Sequence, residues 1–268
     1  MLKNLYSNGS SLTAGGGLYE PGNKQEYKRL YGVEWDNEKD VTYPKYVADD
    51  LNLKLISDAE CGSGAPRLVR RTYEYIESVG LEKAKETLFL FEITDPIHRI
   101  DMFCNEINDH VIVNVRYDDD AELTDLSVVY SYSPTNRPYD NNIFKGDIEN
   151  GIRNYLNAYH NPVVYSNKFA GELIGLFSFM DKLNLQFYYM FENEFLRNPY
   201  KSLYYELDRK HKIHIDEDCT SSSHFCIKNK LTIKDELNGF TDDTHPGYYG
   251  YLKFAEVVKR NIIKSSII

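Results

Sequence analysis

The sequence of 268 residues predicts an α/β fold, a largely parallel sheet of about five strands flanked by helices. Three observations carry this. Leu2 to Asn8 is a short mixed-apolar run closing on Asn8-Gly9, as a strand entering a tight turn does. Ala65 to Val79 is amphipathic, with Leu68, Val69, Tyr73 and Ile76 three and four apart, and Gly80 stops it. Leu88 to Ile93 (LFLFEI) is almost continuously apolar, which suits a parallel strand covered on both faces. With Leu53 to Ser57 as a second strand before the helix, the order strand, loop, helix, strand is that of a βαβ unit.

Between the first two strands, residues 14–44 are Gly-rich and polar and read as a long loop with at most one helical turn. Thr42 to Leu51 has helical spacing through Tyr43, Tyr46, Val47 and Leu51. Further on, His110 to Tyr117 and Leu126 to Tyr132 alternate as strands of a small β insertion, with Asp118-Asp119-Asp120 as a turn. The insertion is placed at about residues 100–165 of one domain spanning 1–268. Residues 134–150 read as loop, Gly151 to Tyr159 and Phe169 to Leu183 as helices, and Leu185 to Phe191 as another buried strand. Tyr200 to Leu207 reads as a short helix and 211–236 as polar and irregular. Tyr248 to Ile263 closes the chain as an amphipathic helix with Leu252, Ala255, Val258 and Ile262 in register.

Composition excludes several functions. There are 31 Lys and Arg against 41 Asp and Glu, a formal net charge of −10. That balance argues against non-specific nucleic-acid binding, which needs clustered cations. The densest basic spot is Arg67-Leu68-Val69-Arg70-Arg71, inside the first long helix. No stretch reaches the roughly 18–20 apolar residues of a membrane span. Met1 to Tyr6 lacks the apolar core of a signal peptide. The four Cys form no CxxC pair, so a disulfide framework is not expected. These features imply a reducing compartment, or export without a signal peptide. The 23 Tyr are read mainly as half-buried packing residues.

Three segments far apart in sequence carry chemistry. Asn8-Gly9-Ser10-Ser11-Leu12-Thr13-Ala14-Gly15 places a Ser in a Gly-flanked turn just after the first strand, where its hydroxyl can be exposed and its N–H can face an oxyanion. Asp242-Asp243-Thr244-His245-Pro246 puts a carboxylate near a His on one loop before the last helix, so the acid can fix the imidazole tautomer. Pro246 suits the first turn of that helix. Cys61-Gly62-Ser63-Gly64 follows the second strand, and a Gly there allows close backbone approach. Each segment alone is also an ordinary turn. His211, His214, Cys219, His224 and Cys226 lie close together but lack zinc-knuckle spacing, and read as a polar loop region. The aspartate run lacks EF-hand spacing and reads as a solvated turn.

Taken together, the three segments resemble the SGNH (GDSL-type) hydrolase family. Gly9-Ser10-Ser11-Leu12-Thr13-Ala14-Gly15 is similar to its first block, and Asp242-Asp243-Thr244-His245-Pro246 with Gly250 to its last. The resemblance implies a three-layer flavodoxin-like sandwich and a serine esterase or acylhydrolase. Ser11 would be the nucleophile, His245 the base and Asp242 its partner, with Asp243 able to trade roles. The oxyanion hole would use Ser11, Gly62 and a third-block side chain. That block departs from the family pattern. Glu92-Ile93-Thr94-Asp95 stands where Gly-x-Asn-Asp is usual, and Ser10 replaces the first-block Asp. A divergent, often phage-encoded subset has a similar third block, and Thr94-Asp95-Pro96 with Arg99 resembles it. Asp95, Arg99, Tyr248 and Tyr249 are the candidate substrate contacts.

No metal or organic cofactor is implied. The expected ligand is an ester or a glycan, O-acetylated carbohydrate suiting a Tyr-rich polar surface. The alternative is a weakly active or inactive SGNH-like component of a larger assembly, such as a phage particle, with protein partners. Location is expected to be cytoplasmic or virion-associated, without nucleic-acid or membrane partners.

Overall fold

The structure is a computed structural model. It describes residues 1–18, 20–61, 63–94, 99–104, 109–117, 123–130, 147–159, 162–192, 209–215, 219 and 221–265. Strand β1 (Asn4–Asn8) leads into the one-turn helix α1 (Ser11–Ala14), then α2 (Pro21–Tyr31) and α3 (Tyr43–Asp50). Strand β2 (Lys54–Ser57), α4 (Ala65–Val79), α5 (Leu81–Lys85) and β3 (Thr87–Ile93) complete the βαβ unit. Strands β4 (Arg99–Cys104), β5 (Asp109–Tyr117) and β6 (Leu123–Tyr130) follow, then α6 (Asp147–Tyr159), α7 (Pro162–Lys182) and β7 (Gln186–Phe191). The last helices are α8 (Ser222–Lys228), α9 (Ile233–Glu236) and α10 (Tyr248–Ser265).

Four strands form a parallel sheet in the order β2-β1-β3-β7. Isolated parallel bridges from Tyr189 to Lys212 and from Phe191 to Ser221 extend its β7 edge. Strand β3 is buried along its whole length. Its side chains alternate between two cores, as a strand covered on both faces requires. Leu88 and Leu90 join Val47 of α3 and Tyr251, Phe254 and Val258 of α10. Phe89, Phe91 and Ile93 join Leu68 and Ile76 of α4 and Leu173 and Phe177 of α7. The fold is therefore α/β, with a mostly parallel sheet between two helical layers. Strands β4, β5 and β6 form a separate antiparallel sheet.

Several stretches differ from expectation. Residues 21–31, read as loop, form α2. Pro21 opens this helix and Gly32, at φ 67°, closes it, but only Asn23 and Tyr27 are buried along it, so it has no apolar stripe for periodicity to detect. Residues 222–228 and 233–236, read as irregular, are the short helices α8 and α9. Their N-caps Ser221 and Thr232 accept from the amides of His224 and Asp235 at 3.2 Å each. Strand β4 was not anticipated. The expected helix at 200–207 and the turn at Asp118–Asp120 lie outside the described residues.

Candidate active site

The segments that follow β1, β2 and β3 all leave the same edge of the parallel sheet. The chain visits β2 on one side of β1 and then β3 on the other, so the order reverses between β1 and β3. Open α/β sheets bind ligands beyond the carboxyl ends of their strands at such a switch point. Ser11 follows β1 and Thr94 follows β3, one on each side of it.

Ser11 and His245 are 234 residues apart in sequence, yet Ser11 Oγ lies 2.9 Å from His245 Nε2. The other ring nitrogen, Nδ1, lies 2.6 Å from Asp243 Oδ1. The carboxylate that meets the imidazole is thus Asp243 and not Asp242, which corrects the expectation from spacing. Asp242 is 97% exposed and pairs with Lys234 at 3.0 Å. The physical reason is an Asx turn. Asp243 Oδ1 also accepts the backbone N–H of His245, two residues on, at 2.9 Å. One carboxylate oxygen therefore holds both the ring and the backbone of the same His. Burial opposes ionisation of Asp243, but hydrogen bonds from the His245 ring and amide prevail and hold its carboxyl below the usual carboxylate range. An ionised Asp243 can only accept. That assigns the proton to Nδ1 and leaves Nε2 as the acceptor facing the Ser11 hydroxyl.

Backbone bonds fix this loop against α9. Ile233 N donates to His245 O and Lys234 N to Asp243 O, both at 2.8 Å. Thr232 and Pro246 form an isolated antiparallel bridge. Pro246 therefore lies in this bridge, ahead of α10, and not in the helix's first turn. Beneath it the buried Glu236 accepts from Gly250 N at 2.8 Å, Tyr249 N at 3.2 Å and Tyr27 Oη at 2.8 Å. Burial pushes the Glu236 carboxyl up, although these donors pull the other way.

Two glycines that the sequence reading passed over as loop are spatial requirements of the site. A Cβ on Gly16 would fall 2.8 Å from Ser11 Cβ and 3.0 Å from the His245 ring. A Cβ on Gly17, which has φ +80°, would fall 2.2 Å from Asp243 Oδ2. The only sequence signal for them was the run Gly15-Gly16-Gly17 itself.

The end of β3 is built around an acid. Glu92 is fully buried and accepts hydroxyl hydrogen bonds from Thr13 of α1 and Ser222 of α8. Thr13 Oγ1 lies 3.1 Å from Tyr43 Oη, whose own ionisation is suppressed by burial and then by Glu92. Glu92 thereby ties the turn that carries Ser11 to α3 and α8. Thr94 is buried and its hydroxyl donates to Ser63 O at 3.5 Å, so the segment after β3 sits against the segment after β2. Ser10 is buried, and its Oγ has no hydrogen-bond partner among the described residues.

Gly62 and Asp95 lie outside the described residues. Arg99 opens β4 opposite Asn114. Tyr248 and Tyr249 begin α10 and are claimed by aromatic packing. Tyr248 stacks on Trp35 at 6.1 Å, and Tyr249 meets Tyr31 edge-on at 5.4 Å. The basic spot of α4 is taken up by ion pairs. Arg71 grips Asp58 through two 2.9 Å bonds, Arg67 reaches Glu60 at 2.8 Å, and Arg70 holds Asp101. The His/Cys cluster is dispersed. His211 bonds Asp181 at 2.9 Å, and Cys219 and Cys226 are buried. Among the described residues no group of three or more His, Cys, Asp or Glu is placed to hold a metal. Among them, too, no helix is long and apolar enough to cross a membrane.

No family model matches the chain. No curated protein matches it either. Among solved structures it is similar to the psychrotrophic esterase EstA from Pseudoalteromonas sp., with 12% identity over 98% of this chain and 97% of that one and a TM-score of 0.42. It is similar to the lipase Lip_vut3 from a goat rumen metagenome, with 14% identity over 97% of each chain and a TM-score of 0.42. A third similar structure is described as a GDSL-like lipase from Parabacteroides merdae, with 12% identity over 97% of each chain and a TM-score of 0.41.

Proposed function

We propose that the protein is an SGNH-type serine ester hydrolase, with O-acetyl groups on carbohydrate as its substrate class. The observation that carries this reading is the unbroken chain Ser11 Oγ, His245 Nε2, His245 Nδ1, Asp243 Oδ1, at 2.9 and 2.6 Å. His245 Nε2 takes the Ser11 proton as Ser11 Oγ attacks the ester carbonyl. Asp243 keeps Nδ1 protonated and stabilises the imidazolium that forms. The tetrahedral oxyanion is met by the N–H of Ser11 and the hydroxyl of Thr94, and Gly62 is the further donor that the family resemblance implies. To donate there, the Thr94 hydroxyl rotates away from Ser63 O. His245 then protonates the leaving alcohol, and afterwards activates the water that releases the acyl group. Substituting Ser11→Ala should abolish hydrolysis of p-nitrophenyl acetate while circular dichroism stays unchanged. Turnover equal to that of the parent protein would sink the assignment.

A second reading is favoured by one observation, the replacement of the third-block Asn by Thr94 with its hydroxyl turned to Ser63 O. On that reading the chain is a glycan-binding SGNH-like scaffold with little catalysis, part of a larger assembly of the phage type. A protein that folds, binds glycan and leaves p-nitrophenyl acetate intact would favour it.

A further inference from the structure

Away from the triad, α4, α6, α7 and the antiparallel sheet enclose a cleft of about 540 Å³. Its wall includes Pro66, in the first turn of α4 and three residues beyond the Ser63 carbonyl that Thr94 contacts. The cleft therefore reaches the first turn of the helix that follows Ser63. Its volume lies within the range of sites that hold small organic ligands.

Two kinds of group line it. Phe103 of β4 and Tyr155 of α6 are 52% and 51% exposed, and so present flat apolar faces. The charged groups stand in pairs, one close and buried and one long and exposed. Asp101, with its side chain 6% exposed, receives Arg70 Nε at 2.6 Å and Nη2 at 3.1 Å, and His110 Nδ1 lies 3.4 Å from the same carboxylate. Lys168 stands 3.8 Å from Glu172.

This combination selects a ligand chemistry. An isolated phosphate or carboxylate ligand would have to displace Asp101 from Arg70, leaving a buried charge unpaired. A fatty chain would displace the water that solvates the remaining donors and acceptors of the ion-paired rim and replace none of its hydrogen bonds. A neutral polyhydroxylated ring meets both demands. Its C–H face lies on an aromatic ring, while its hydroxyls both donate to carboxylates and accept from guanidinium and ammonium groups.

We propose that this cleft is a binding subsite for a neutral oligosaccharide, with Phe103 and Tyr155 as its stacking platforms and the Arg70–Asp101 pair as its polar anchor. It deepens the esterase reading and rests on it for the claim that the bound sugar presents its O-acetyl group to Ser11. Sugar binding itself does not depend on catalysis.

The test uses partially O-acetylated xylo- and cello-oligosaccharides and the full chain. Kinetics are measured on these and on p-nitrophenyl acetate for the parent protein, Phe103→Ala and Tyr155→Ala, and binding is measured calorimetrically to Ser11→Ala. Each ring truncation should lower kcat/KM for the oligosaccharides about 3- to 10-fold through KM, and leave p-nitrophenyl acetate turnover unchanged. Ser11→Ala should bind the oligosaccharides, with Tyr155→Ala weakening that binding by the same factor. Equal losses on both substrates, no loss on the oligosaccharides, or no binding to Ser11→Ala would overturn the subsite. If the parent protein hydrolyses neither substrate, the esterase reading fails, and the binding measurement still decides the cleft.

Discussion

The sheet edge that carries Ser11 and His245 and the cleft between α4, α6, α7 and the antiparallel sheet are built in opposite ways. At the edge, side chains from opposite ends of the chain are held by backbone bonds and by glycines that admit no extra atom. Asp243, Thr13 and Glu236 each make more than one hydrogen bond. In the cleft, aromatic faces stand open and the charges are paired. Bond-making chemistry gains from fixed distances, since a misplacement of about 1 Å can cost on the order of 100-fold in rate. Recognition of a polyhydroxylated surface needs exposed faces and balanced polar groups, and tolerates their movement.

Several experiments would break or sharpen that contrast. The largest effect is expected at the imidazole's partner. Asp243→Asn should cost about 10⁴-fold in kcat, because the amide cannot fix the Nδ1–H tautomer, whereas Asp242→Asn should leave p-nitrophenyl acetate turnover within about twofold. Equal losses would restore Asp242 to the site. Gly16→Ala should reduce kcat by about 100-fold or more at nearly unchanged stability of the sheet, since its Cβ would meet both Ser11 and His245. Full activity in that variant would show the elbow to be looser than its packing implies. Thr94→Val removes a hydroxyl of nearly the same shape. A loss of about 100-fold would mark it as an oxyanion donor, and no change would leave the hole to backbone amides.

Asp243 also sets a pH dependence. Its folded pKa is depressed, so its contribution to stability is present above the unfolded carboxylate value and is lost as pH falls through the folded one. Chemical denaturation from neutral to acidic pH should show this component in the parent protein and its absence in Asp243→Asn. At the cleft, Lys168→Ala should change stability by no more than about 0.5 kcal/mol in thermal unfolding, because the Lys168–Glu172 pair is exposed and long.

Much of the fold could be read from residue pattern, and the reason is burial. Strand β3 and helix α4 lie where apolar spacing is dictated by a core on one or both sides. Helix α2 buries little beyond Asn23 and Tyr27, so its pattern was silent. Helices α8 and α9 are too short for a period to register and depend on their caps. At the site, Ser11 and His245 were legible because their turns carry recognisable neighbours. The choice between Asp242 and Asp243 was not, because it depends on an Asx turn and not on residue type. Gly16 and Gly17 escaped notice, and Glu92 was legible only as a departure from a block pattern, because their roles lie in contacts between segments far apart in sequence.

The central claim is that Ser11 is a nucleophile activated by His245 and Asp243. The most direct measurement is mass spectrometry of the folded protein after exposure to a fluorophosphonate, with His245→Ala in parallel. A single phosphonyl adduct on Ser11, strongly diminished in His245→Ala, is the predicted result. A folded protein that stays unlabelled at Ser11 would contradict it.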